Sequence, residues 1–211
     1  MTADLVVVDH PLALHRLSHL RDVRTDNRAF GRLVAELSTF VAYEALRDLK
    51  VVSCPVDTPL SRAVSCPRVE ESVVLVPVLR AGLGMVPALQ GVLPVTEVAH
   101  VGLRRDESTL EAAVYLDLLP ADLSGRRVVV CDPMLATGGS LAQVCDMVKA
   151  RGAETVTVLC LIASVPGLGL FRSRHPDVKV ACVAVDPGLD HRGFIVPGLG
   201  DAGDRLFGPP G

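Results

Sequence analysis

Tryptophan is absent from this sequence, and two tyrosines and five phenylalanines are its whole aromatic complement. So few rings leave little on which nucleic-acid bases could stack, and a formal net charge of -3 supplies no footprint for a polyanion. Nucleic acid is therefore not expected as a partner. No apolar run reaches the roughly 18 to 20 residues that cross a bilayer. The stretch Met1 to His10 carries an aspartate where a signal peptide carries positive charge. Both absences predict a cytoplasmic protein with no membrane partner. No C-x-x-C pair occurs among Cys54, Cys66, Cys131, Cys145, Cys160 and Cys182, and three of these lie inside apolar runs, so reduced and mostly buried thiols are expected. His15 and His19 stand four apart on a predicted helix. Neither an H-E-x-x-H motif nor a cysteine accompanies them, and they read as helix surface rather than a metal site.

What is present suits a globular enzyme: 49% apolar and 21% charged residues over 211 positions predict one domain, 1–211, with a sizeable core. Pro11 to Asp22 and Arg28 to Asp48 read as helices, the second with Phe30, Leu33, Val34, Leu37, Phe40, Val41 and Leu46 near a 3.6-residue period. Ser53 to Arg68 holds three prolines and reads as an irregular connection or hairpin. Short β-branched runs follow at Val73–Val78, Val95–Leu103, Arg127–Cys131, Thr155–Ile162 and Val178–Val185. Separated by helix-like segments, such runs predict an α/β fold with a mostly parallel twisted sheet flanked by helices, and Glu111–Leu118 adds an antiparallel piece. Ligands of such sheets bind beyond the carboxyl ends of the strands.

Four loops carry chemistry. The first, C-D-P-M-L-A-T-G-G-S, leaves a strand at Cys131 and enters a helix near Leu141. Free amides at a helix start favour an anion, Gly138 and Gly139 admit it closely, and Thr137 and Ser140 add hydroxyl donors. The lysine of a G-x-x-x-x-G-K-S/T loop is missing, so a phosphomonoester suits the cradle better than a nucleoside triphosphate. Asp132 can accept hydrogen bonds from the hydroxyls of an attached sugar. A plain helix-capping loop is the competing reading. In the second loop, V-P-V-L-R-A-G-L-G-M, Arg80 and bare amides at a strand end suit a pyrophosphate; a dinucleotide fingerprint would need a third glycine. The third, H-V-G-L-R-R-D-E-S-T-L, puts four charges into an apolar strand and also reads as a solvated hairpin tip. The fourth, G-F-I-V-P-G-L-G-D-A-G-D-R-L-F-G, offers around Ile195, Gly200, Asp201 and Ala202 a strip of backbone that can read a base edge, or else a flexible tail.

Together these loops resemble the uracil phosphoribosyltransferases, of the type I phosphoribosyltransferase superfamily. The likeness extends faintly through H-P-L-A-L-H-R-L, R-D-V-R-T and A-Y-E-A-L-R-D-L, and so covers about His10 to Gly208. It implies the superfamily's fold with a mobile β-hairpin hood and a C-terminal base-binding loop. It implies binding of 5-phospho-α-D-ribose 1-diphosphate (PRPP), with its magnesium, by Arg80, Arg105, Asp201 and the run Asp132, Pro133, Met134, Leu135, Ala136, Thr137, Gly138, Gly139 and Ser140. Uracil falls to Ile195, Gly200, Asp201 and Ala202, whose peptide groups can match its acceptor, donor, acceptor edge. Arg80 and Arg105 face the departing pyrophosphate, and Asp201 is the candidate for any general base. A single acid before the cradle matches the uracil branch, whereas Arg104 stands where relatives often have tyrosine. The implied products are UMP and pyrophosphate, with GTP as activator and a homodimer or larger homo-oligomer as the assembly. Two rivals are another base on the same fold and an RNA-binding regulator, which would need a basic face.

Overall fold

The computed structural model describes residues 5–105 and 112–209, the side chains of Val95, Thr96, Arg105 and Ala112 excepted. The chain begins with β1 (Leu5–Val7), α1 (Pro11–Arg21) and α2 (Asn27–Ala45), then the pair β2 (Val51–Val56) and β3 (Val64–Val69). β4 (Val73–Leu79) passes through a 3-10 turn at Ala81–Gly84 into α3 (Val86–Val92), followed by β5 (Val95–Val98), β6 (Val101–Arg105) and β7 (Ala112–Asp117). Next come β8 (Arg127–Cys131), β9 (Met134–Leu135), α4 (Gly139–Ala150), β10 (Thr155–Leu159), β11 (Ile162–Ser164) and α5 (Val165–Arg174). The last elements are β12 (Lys179–Cys182), β13 (Ala184–Asp186), β14 (Gly188–Leu189), β15 (Ile195–Val196) and α6 (Ala202–Phe207).

The main sheet has the order β1-β12-β10-β8-β4-β6-β7, with β5 also on β4. All its pairings are parallel except β6 with β7, so the expected mostly parallel sheet forms, and the antiparallel piece lies where its pattern placed it. Successive strand side chains point to opposite faces, and here both faces are covered. Val73, Leu75, Val129 and Cys131 meet Phe30, Leu33 and Leu37 of α2 and Leu89 of α3. Val74, Val76, Val128 and Val130 meet Leu141, Val144 and Val148 of α4 and Phe171 of α5. Covered on both sides, β4 and β8 are apolar throughout except at Arg127, which opens β8 and is paired with Glu71 and Asp48.

Several boundaries differ from the sequence pattern, each for a local reason. α2 starts at Asn27 because the Asp26 carboxylate accepts from Ala29 N at 2.8 Å, and it stops at Ala45 rather than Asp48. There Lys179 Nζ takes the Ala45 carbonyl at 3.1 Å, and Asp48 turns to pair with the same ammonium at 3.1 Å. The proline-containing segment is a regular hairpin. Glu70 N donates to Lys50 O at 3.0 Å, which sets the alternation so that Pro55 and Pro67 fall in pairs exchanging no ladder bonds, where a missing N–H costs nothing.

The run Val95–Leu103 is two strands, β5 pairing the start of β4 and β6 its end. Thr155–Ile162 and Val178–Val185 likewise break in two. The Pro133 carbonyl accepts from Leu161 N at 2.9 Å and Ile162 N at 3.2 Å, drawing the chain out of the main sheet. β9, β11 and β13 then form a second, parallel sheet of order β13-β11-β9. This small sheet carries the Asp132–Ser140 loop.

Candidate active site

Strand order reverses at β4: from it the chain goes to β5 and β6 on one edge, then returns to β8 on the other and continues outward to β10 and β12. A crevice at the carboxyl ends of two such strands is the ligand position of open parallel sheets. Arg80 leaves the end of β4 and Asp132 the end of β8. Between and above them lies a cleft of about 950 Å3.

One wall is the loop from Asp132. Asp132 is half-buried, and its Oδ1 accepts from Met134 N at 3.5 Å. Met134, Leu135, Ala136, Thr137, Gly138 and Ser140 line the cleft, whereas Pro133 and Gly139 do not. The loop is fixed from behind by α5: Ser164 Oγ donates to Ala136 O at 2.6 Å and accepts from Gly167 N at 2.9 Å. α4 begins here with Gly138 at φ 82° and no side chain capping it. The two glycines of the motif do different things. A Cβ on Gly138 would lie 2.5 Å from Gly167 O, while one on Gly139 would meet only Thr137 Oγ1 at 3.9 Å. Gly138 thus serves the left-handed turn and the approach of α5, and Gly139 alone keeps open space.

The Cys131 thiol at the root of the loop is buried, and burial, reinforced by the Asp132 charge, pushes its pKa well up. It stays a neutral thiol and is no nucleophile. Burial likewise pushes Cys145 up to about 12. All six cysteines are free.

Opposite, Arg80 is exposed at the mouth, its Nη2 2.9 Å from Asp204 Oδ1 of α6. Asp201 lines the cleft and caps α6, its Oδ1 accepting from Asp204 N at 2.9 Å. Ile195 lines the cleft from β15. Gly200, at φ 78°, and the buried Ala202 belong to the same strip but do not form the wall. Leu103 and Arg104 of β6 supply the remaining side. Arg105 ends β6, but its side chain, like residues 106–110 of the charged loop, lies outside the described residues.

Some wall and support residues escaped the sequence pattern. His191 and Arg192 line the cleft from a turn built by Asp190, whose Oδ1 accepts from Arg192 N and Phe194 N, both at 2.9 Å. The Phe194 and Arg192 amides hold the Asp190 carboxyl below the usual carboxylate range. The Arg192 guanidinium carbon lies 4.9 Å from the Phe194 ring centroid. Asp204, partner of Arg80, had no sequence signal beyond its place in the glycine-rich run.

A family model described as uracil phosphoribosyltransferase matches residues 7–209. The chain belongs to the uracil phosphoribosyltransferase family. It is 50% identical over 207 residues to a uracil phosphoribosyltransferase of Kineococcus radiotolerans, covering 97% of this chain and 98% of that protein. It is 45% identical over 202 residues to one of Lactiplantibacillus plantarum, with 96% and 97% covered. A solved structure, the AQ2163 protein from Aquifex aeolicus, superposes with a TM-score of 0.92 at 34% identity over 97% of this chain and 98% of that one. The enzyme is a pentosyltransferase of pyrimidine salvage that moves the 5-phosphoribosyl group from PRPP to N1 of uracil, giving UMP and pyrophosphate. The uracil branch expected from the four loops is the branch to which the chain belongs. Among the described residues, no helix is long and apolar enough to cross a membrane.

Proposed function

We propose that the cleft holds both substrates, with the donor's 5-phosphate on the Ala136–Ser140 amides, its ribose hydroxyls on Asp132, and its pyrophosphate toward Arg80 and Arg105. The observation that carries this reading is the convergence of Arg80, Asp132 and Asp201 on one cleft at the point of strand-order reversal. Uracil lies against the strip from Ile195 to Ala202, whose peptide groups match its edge; cytosine would leave buried polar groups unpaired. Magnesium carried by the donor would supply charge screening for the leaving group. Asp132 and Asp201 face the same cleft as carboxylates able to accept from the donor's hydroxyls or the metal's waters.

In the reaction the bond from C1 of the ribose to pyrophosphate oxygen breaks, its electron pair leaving with the pyrophosphate, and the uracil N1 lone pair forms the new bond to C1. The N1 proton passes to Asp201 or to water. The transition state resembles an oxocarbenium ion, so catalysis consists of holding N1 near C1 and stabilising the departing charge. The fixed 5-phosphate is a remote handle whose binding energy supports that alignment. GTP activation and a homodimer or larger homo-oligomer rest on the family resemblance, and a cytoplasmic site of action on a sequence that carries neither a bilayer-crossing run nor a signal peptide's charge. Assays with and without GTP and sedimentation of the purified enzyme test the first two.

Gly200→Val tests the base strip. A β-branched residue at φ 78° is strained by roughly 1 to 2 kcal/mol. The neighbouring space is otherwise adequate, an added Cβ meeting only Arg205 Cδ at 3.6 Å. The KM for uracil should rise about tenfold, as that strain converts, while the KM for PRPP stays within about twofold. An unchanged uracil KM would remove the strip from the base site.

A further inference from the structure

The strip from Ile195 to Ala202 has little regular structure of its own, since β15 is two residues long. Its anchors come from outside the cleft. Arg21, the last residue of α1, places its guanidinium in a fork on Asp186, with Nη1 2.7 Å from Oδ2 and Nη2 2.7 Å from Oδ1. The same Nη1 donates to Gly198 O at 2.7 Å, and Gly198 N donates to Asp186 Oδ2 at 3.0 Å. Both peptide groups of Gly198 are therefore held by one ion pair, whose Asp186 is only 5% exposed.

The next peptide is held by a second arginine. Arg205 Nη1 donates to Leu199 O at 2.8 Å and to Leu20 O at 2.7 Å, and Nη2 donates to Asp22 O at 2.7 Å and Thr25 O at 3.4 Å. Its guanidinium carbon lies 4.2 Å from the Phe30 ring centroid. All four acceptors are backbone carbonyls, three of them in or beside the R-D-V-R-T segment that closes α1. Gly198 and Leu199 immediately precede Gly200–Ala202, so the register of the base-reading peptides is set by these two arginines.

We propose that Arg21, Asp186 and Arg205 form a clamp of positioning residues that fixes the uracil-reading backbone from behind, setting affinity and selectivity for the base without touching it. The proposal rests on the assignment of the strip to uracil. None of the three clamp residues lines the cleft, and the donor cradle is held instead by Ser164 and the backbone of α5. Loosening the clamp at Gly198 should therefore act chiefly on uracil, the donor keeping its own cradle although Asp201 lies at the far end of the strip.

Steady-state kinetics of the full-length enzyme, with uracil and PRPP varied in turn, test this on Arg21→Ala, Arg21→Lys and Arg24→Ala. Arg21→Ala should raise the KM for uracil about tenfold or more and lower the uracil-over-cytosine ratio of kcat/KM, with the KM for PRPP within about twofold. Lysine keeps the charge but not the two-pronged fork, so Arg21→Lys should recover part of the uracil KM. Arg24→Ala, which removes an exposed pair with Asp22, should match the parent. A merely structural role would shrink the active fraction, lowering apparent kcat while leaving both KM values alone, and that result would overturn the clamp. If Gly200→Val raises the uracil KM and Arg21→Ala does not, the clamp is wrong and the strip stands; if neither raises it, both assignments fall.

Discussion

Arg80→Ala is expected to lower kcat by about 10²- to 10³-fold, the usual loss when one preorganised partner of a developing anion is removed. Arg80 follows β4 at the mouth of the cleft, and its guanidinium is paired with Asp204 at 2.9 Å. Both side chains of that pair are about two-fifths exposed, at 43% and 41%, so the contact is solvent-screened and adds little to stability. A pyrophosphate with several negative charges competes readily for the arginine. The loss on substitution therefore belongs in turnover, with the KM for uracil and the melting temperature close to the parent. Arg105→Ala should act in the same sense, lowering turnover and leaving uracil binding largely intact. Unchanged turnover in either variant would remove that residue from the mechanism.

Gly138→Ala should have the larger effect on donor binding. The added methyl would lie 2.5 Å from Gly167 O, on backbone that cannot swing aside, at a residue whose φ is 82°. Overpacking costs about 1 to 3 kcal/mol and the left-handed turn about 1 to 2 more, so the KM for PRPP should rise by about 30-fold or more if the loop opens to relieve the clash. Gly139→Ala is the comparison, because its methyl meets only Thr137 Oγ1 at 3.9 Å, so any effect on the donor comes without a clash in the fold. It should weaken PRPP binding with the melting temperature unchanged, whereas Gly138→Ala should lower both. Kinetics and thermal unfolding of the two variants separate a glycine needed by the fold from one needed by the ligand.

Some of this architecture was legible in the residues alone. Val73–Val78 and Arg127–Cys131 were readable as strands because each is a short, mostly β-branched apolar run, broken only by Arg127 at the start of the second, as burial on both faces requires. The elements that escaped are those whose stability is tertiary. α5 contains two glycines and a proline, V-P-G-L-G-L-F, and it forms because Ser164 caps Gly167 and Phe171 is buried against α4. α6 lies hidden in a glycine-rich run and is started by the Asp201 carboxylate. β9 and β13, two and three residues long, exist only because Pro133 O and the neighbouring strands supply partners.

The same division runs through the site. Asp132 and the A-T-G-G-S loop offered two readings by residue type and spacing, an anion cradle of amides and hydroxyls or a plain helix cap, and only their company with Arg80 and the other loops favoured the first. The pairing of Arg80 with Asp204 spans 124 positions, and the clamp joins Arg21 to Asp186 across 165, so neither leaves a local pattern to read. Gly138 shows the limit from the other side: its place in the motif was plain, but the identity of its neighbour, the Gly167 carbonyl, was not.

The central claim, that one cleft at the β4–β8 reversal binds PRPP and reads a uracil edge through the Ile195–Ala202 backbone, is tested most directly by base-dependent pyrophosphate release. The purified enzyme is given PRPP and magnesium with uracil or cytosine, and pyrophosphate is measured as initial rates. A site that hydrogen-bonds the uracil edge should turn over uracil and give a kcat/KM for cytosine at least about 10³-fold lower. Comparable rates with the two bases, or release that does not depend on uracil, would contradict it.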